Sequence, residues 1–164
     1  MTDVNVPVPY SELVGAADPI SLLASTPEQI AHLVERWQPT RWSLSYCEGK
    51  WSAAQLVLHL AHDEIGWSDR VRLALSVPGY VPVLYDGDEW IKMETPNDPS
   101  VALNAFLALR RLNLMLYMRL TAQQLGQPLH HPIIGEITIG WILRRVAGHD
   151  LHHFKQLQII AGHL

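Results

Sequence analysis

Long stretches without proline and with few glycines alternate along this chain with short segments rich in both. This punctuation constrains the fold first, because proline removes a backbone donor and glycine makes a regular element entropically costly. No stretch shows the period-two apolar alternation of a half-buried strand, and there is no internal repeat or low-complexity tract. The pattern predicts an all-α chain. A first helix is expected near "STPEQIAHLVERW", with Ser25 or Thr26 as cap, Pro27 in the first turn and an end by Pro39. After the loop "QPTRWSLSYCEGK", a second begins behind Ser52 as N-cap and stops before Pro78-Gly79. A third runs through "SVALNAFLALRRLNLMLYMRLTAQQL", with Phe106, Leu109, Leu112, Leu116 and Leu120 as its core stripe, and ends at Gly126 and Pro128. The fourth opens at Thr138 and continues towards the C-terminus. Four such helices pack most simply as a four-helix bundle, and the connection of roughly 20 residues between the second and third implies a loop with structure of its own.

A chain of 164 residues can bury a core without disulfides, so residues 1–164 are expected to form a single domain. The net charge is -4, and the 12 lysines and arginines are spread along the chain, with no basic patch of the kind a phosphate backbone requires. Nucleic acid is therefore not an expected partner. Cys47 is the only cysteine, and "MTDVNVPVPYSEL" lacks the charged and apolar regions of a signal peptide, which makes the cytosol the expected compartment. Apolar runs such as "SVPGYVPVLY" are too short and too broken to span a bilayer, so no membrane association is expected.

The fourth helix carries the chemistry, in "RRVAGHDLHHFKQLQII". On a helical wheel with Trp141 at zero, the apolar arc set by Ile142, Leu143, Val146, Phe154, Leu157 and Ile160 is centred at roughly 140°. His149 and His153 fall inside this arc at roughly 80° and 120°, whereas His152, at roughly 20°, lies on the polar side beside Arg145. Spaced i, i+4, the inward pair has the separation at which two side chains share a metal ion. For such a pair alone, a hydrogen-bonded core role is equally open. The second helix offers a third ligand in "LVLHLAHDE", where His59 and His62 both sit mid-helix and the wheel does not separate them.

Together, "GKWSAAQLVLHLAHDE" and, about ninety residues later, "GHDLHHFKQL" resemble the DinB/YfiT-like superfamily of metal-dependent four-helix bundles. The resemblance spans most of the chain and implies a three-histidine site made of His59, His149 and His153. This sequence departs from the family pattern by placing His62 where an acidic residue is common, with Asp63 one step later. Three neutral imidazoles hold a divalent ion such as zinc or nickel without cancelling its charge and leave a position for water or a substrate thiol. The resemblance thus implies a thiol S-transferase or hydrolase acting on a small molecule, with a low-molecular-weight thiol as co-substrate, and allows a homodimer. A non-catalytic, stress-associated bundle stabilised by its metal is the competing expectation.

Around this site, Gln156 matches the family's ending and is a candidate to orient a ligand ring, while Asp63 is expected to accept from a ligand histidine or to sit in water. Asp150 falls on the apolar face at roughly 180° and needs a partner, either Arg70 or a ligand imidazole. Cys47 is expected to be a bystander, and "YDGDEW", with Asp86, Asp88 and Glu89, to form a rim or lid near the open metal position, where Trp90 could line a pocket. His130-His131-Pro132 is expected to be an exposed turn.

Overall fold

The structure, a computed structural model, describes residues 6–94 and 98–162. In chain order the elements are α1 (Ser11–Val14), α2 (Pro19–Val34), α3 (Pro39–Trp42), α4 (Ala53–Ser76), α5 (Gly87–Met93), α6 (Pro99–Tyr117), α7 (Ala122–Leu125), β1 (Pro128–His131), β2 (Gly135–Thr138) and α8 (Ile139–Ala161). The four long helices α2, α4, α6 and α8 form the expected bundle. Its order is not the simplest one: α2 packs on α6 and α8, α4 packs on the same two, and α2 and α4 face each other across the diagonal. The connections out of α2 and α6 therefore cross the bundle rather than joining neighbours.

Local sequence signals place two of the helix starts. Ser52 and Gln55 form a reciprocal capping box at α4, and the Thr138 hydroxyl accepts from the Trp141 amide at the head of α8. The first long helix begins earlier than Ser25: Asp18 caps it by accepting from Ser21 N at 2.9 Å, with Pro19 in the first position. Pro27 consequently sits mid-helix, where it cannot donate to the Leu23 carbonyl. That carbonyl is recovered by Arg110 Nη1, which donates to it from α6 at 2.9 Å. Ser25 and Thr26 are interior, and the Thr26 hydroxyl donates to Leu22 O.

The buried stripe of α6 also differs from the leucine stripe. It consists of Ala102, Phe106, Arg110, Asn113 and Tyr117, while Leu112 is 54% exposed. Polar residues hold interior positions because they are paired: Arg110 Nη2 lies 2.5 Å from Glu64 Oε1 and 2.7 Å from Asp150 Oδ2, and Asn113 donates to Glu64 Oε2. Asp150 is thus held by Arg110, not by Arg70 or an imidazole. This polar layer divides the core into one apolar cluster around Trp67, Val71, Tyr117 and Ile142 and another around Leu56, Leu60, Phe106 and Leu157.

A two-stranded antiparallel hairpin, β1 with β2, occupies the stretch read as a turn. Its His131 is buried, not exposed, and Nδ1 accepts from the amides of Ile133 and Ile134. With strands of four residues each, the alternation is too short to register as a period. Among the described residues no helix is long and apolar enough to cross a membrane.

Candidate metal centre

His59 comes from the middle of α4, and His149 and His153 from one face of α8, the helix packed beside it. All three are buried. Each offers one ligand atom, and these atoms lie within 4.8 Å of one another. His149 Nε2 is the hub, 3.0 Å from His59 Nε2 and 3.0 Å from His153 Nε2. His62 does not join them: its Nε2 lies 2.9 Å from Glu94 Oε2, and its ring meets Trp90 edge-on.

An outer hydrogen bond fixes the His153 ring. His153 Nδ1 stands 2.7 Å from Gln156 Oε1, a pure acceptor, so Nδ1 carries the proton. The Gln156 amide nitrogen then donates to His152 Nε2 at 3.0 Å, and His152 stacks on Tyr10 with ring centroids 4.7 Å apart. His152 is thus half-buried and tied into the site rather than solvated. His149 Nδ1 lies 3.1 Å from Asp63 Oδ2 without hydrogen-bond geometry; that oxygen accepts from Arg145, while Tyr85 donates its hydroxyl to Asp63 Oδ1 at 2.8 Å. Asp63 therefore faces a clustered imidazole and is not in water, although that ring is His149 and not its chain neighbour His59.

Burial keeps the imidazoles neutral, pressing His149 well below its ordinary pKa, His153 down to about 3, and His59 in the same direction. Burial alone would push the Asp63 carboxyl up, but the Arg145 guanidinium bonded to it holds it well below the usual carboxylate range. The result is a donor conflict. The proton of His153 on Nδ1 leaves its Nε2 with a lone pair 3.0 Å from His149 Nε2, which is equally close to His59 Nε2. One His149 proton cannot serve both contacts, while the buried Nδ1 atoms of His149 and His59 make no hydrogen bond among the described residues. A divalent cation between the nitrogens turns this conflict into ligation, so the residues fit a metal.

A cavity of about 450 Å³ leads to the rings, walled in part by Tyr10, Tyr46, Trp51, Asp88, Arg145 and Gln156. Trp51 packs against His59 with ring centroids 4.6 Å apart. Asp88, from the acidic stretch expected to form a rim, is in this wall, and Gly87 beside it is so close to His59 that an added Cβ would lie 3.2 Å from the ring. Cys47 is exposed and lines none of this cavity. Sequence reasoning missed Tyr10, Tyr85 and the inward role of Arg145. The need of a buried Asp63 for a cation was the one available signal for Arg145, whereas Tyr10 and Tyr85 reach the site through tertiary packing alone.

The DinB superfamily model matches residues 22–157. The chain is 30% identical over 118 residues to "Putative metal-dependent hydrolase OB0413" of Oceanobacillus iheyensis, covering 71% of this chain and 68% of that protein. It is 27% identical over 143 residues to "Putative metal-dependent hydrolase YfiT" of Bacillus subtilis, covering 84% and 79%. The solved Bacillus subtilis YfiT, described as "a probable metal-dependent hydrolase with an unusual four-helix bundle topology", superposes with a TM-score of 0.77 at 26% identity over 85% of this chain and 83% of that one. With the match to the superfamily model running through both histidine-bearing helices and the bundle shared with YfiT, the chain belongs to the DinB superfamily.

Proposed function

We propose that this chain, as a single domain in the cytosol, holds one divalent ion, zinc or nickel, through the Nε2 atoms of His59, His149 and His153. It then acts on a small molecule, by hydrolysis or by transfer of a low-molecular-weight thiol. The observation that carries the reading is the convergence of three buried Nε2 atoms, that of His149 lying 3.0 Å from each of the other two, while the His153 proton is held on Nδ1 by Gln156. When bound, such an ion supplies Lewis acidity towards water or a thiol. The chain's own residues do the rest: Gln156 holds the His153 ring in one tautomer, Asp63 sets a carboxylate 3.1 Å from His149 Nδ1, and Trp51 shields His59 and His153. Asp88 is the only carboxylate in the cavity wall among the described residues, which makes it the candidate to take a proton from the attacking group.

Three ligands beneath a cavity favour catalysis over a purely structural metal, which would have four closed protein ligands. The relatives' names support hydrolysis as the first reaction to try. The test is elemental analysis of protein purified without a nickel column, followed by parallel screens of activated esters and amides and of thiols paired with electrophiles. One equivalent of metal and metal-dependent turnover in either screen is the expected result. Stoichiometric metal with no turnover in both would leave the stabilising, non-catalytic role, and absence of metal after reconstitution would sink the proposal.

A further inference from the structure

A second cleft, of about 480 Å³, lies between α4, α6 and the segment from Tyr80 to Trp90, and it shares no lining residue with the cavity over the histidines. Tyr85 is the partition: its ring lines this cleft and stacks on Trp90, while its hydroxyl turns away to Asp63. Leu73, Leu84 and Leu109 add apolar wall.

Into this wall is set Arg70, only 5% exposed. Its guanidinium lies 4.2 Å from the Trp67 ring centroid and 5.4 Å from that of Tyr85, and among the described residues it makes one hydrogen bond, from Nη2 to Val83 O at 3.3 Å. Among the described residues no carboxylate pairs with it. The other two arginines that reach inward are each matched, Arg110 by Glu64 and Asp150, and Arg145 by Asp63. The nitrogens of Arg70 that make no hydrogen bond are not sealed from solvent either. A mostly buried cation with two aromatic faces, one carbonyl and only the more distant field of Asp63, which Arg145 and Tyr85 already engage, is incompletely compensated, and an anion entering the cleft would complete it. Two arginines and one acidic residue, Arg70, Arg72 and Asp69, line the cleft, so its charge favours an anion. The apolar remainder, and a volume within the roughly 300–1,000 Å³ of small-molecule pockets, call for an apolar body behind a single charged group.

We propose that this cleft is a binding site for a small amphipathic carboxylate, with Arg70 pairing the anion and the leucine and aromatic walls seating its apolar body. The site is separate from the histidine cluster and does not depend on the metal reading. Calorimetric titration of the full, chelator-treated chain with 3-phenylpropionate tests it, with 3-phenylpropanamide and inorganic phosphate as comparison ligands. Saturable one-to-one binding of the carboxylate is expected, with the amide and phosphate each weaker by about tenfold or more, the scale of a lost charge-assisted bond or a lost apolar contact. Arg70→Met keeps bulk over Trp67 and removes the charge, and should weaken binding by about tenfold or more. Should Arg70→Met fail to fold, Leu112→Glu decides, because Leu112 is 54% exposed at the rim and its replacement sets a carboxylate against the ligand. Binding unchanged in a folded Arg70→Met or in Leu112→Glu would overturn the proposal. So would amide or phosphate binding as tight as the carboxylate, or no saturation below about 10 mM, a free energy too small for a built site.

Discussion

At the scale of the residue, His149 is the least replaceable member of the cluster, since its Nε2 neighbours both other ring nitrogens at 3.0 Å. His149→Ala and His153→Ala are each expected to abolish stoichiometric metal binding, measured against a competing chelator. His152→Ala should cost about tenfold, the low end of outer-ligand effects, because it reaches the site only through Gln156. Equal loss in all three would show that orientation on α8 does not decide ligation. On α4, His59→Ala should lower affinity by several orders of magnitude, and His62→Ala by less than about tenfold, since His62 is engaged by Glu94 instead. Asp63→Asn should weaken binding by about 10- to 100-fold. The inward pair on α8 was legible because helical period alone sets direction. The wheel could not choose between His59 and His62, because α4 is buried on most of its circumference and both residues are buried, at 8% and 2% exposure, so the resemblance alone picked His59.

At the scale of the element, Arg110 ties all four long helices together: it sits on α6, donates to Leu23 O of α2, and holds Glu64 of α4 and Asp150 of α8. Arg110→Met removes the cation from two buried carboxylates and strands the carbonyl that Pro27 leaves free, so chemical denaturation should show a loss of about 3–5 kcal/mol. A loss under about 1 kcal/mol would mean the layer is not a linchpin of the bundle. The same layer explains what could be read from sequence at this scale. Starts at Ser52 and Thr138 were legible because their caps are local, three residues from their partners. The start of α2 and the stripe of α6 were not, since the group compensating Pro27 is 87 residues away from Leu23 and turns a polar side chain inward. Gly66→Ala gives a second measure of packing between elements. Its Cβ would fall 2.3 Å from Tyr85 Cε1, so despite better helix propensity it should destabilise by about 1–3 kcal/mol and weaken metal binding by displacing the Tyr85 bond to Asp63.

At the scale of the whole molecule, the diagonal placement of α2 and α4 was beyond sequence reading, because amphipathic stripes say that helices share a core and not which ones are neighbours. That placement sets α4 against α8 and buries three imidazoles, which fixes how metal-free stability should depend on pH. Burial lowers the folded pKa of His149, His153 and His59 from the ordinary 6.5, and that of His153 reaches about 3. As pH falls below 6.5, the unfolded chain takes up protons that the folded chain refuses, so these groups withdraw stability on acidification. Asp150 acts oppositely. Burial raises its carboxyl from 3.8 to about 7, with Arg110 resisting and Glu64 assisting, so the folded chain keeps a proton there that the unfolded chain releases between those values. Its contribution is present at low pH and is lost as pH rises through the window. Three imidazoles outweigh one carboxyl, and the chelated protein should lose on the order of 2 kcal/mol between pH 7 and pH 5. Replacing Asp150 with Asn removes the opposing proton, so the acid-induced loss should become steeper between pH 7 and pH 5. Urea denaturation at pH 5, 6 and 7 with chelator present reads both effects, and metal should raise stability most at pH 7, where protons compete least for the ring nitrogens. A metal-free midpoint independent of pH over this range would mean that the three rings are charged, or open to water, in the folded chain.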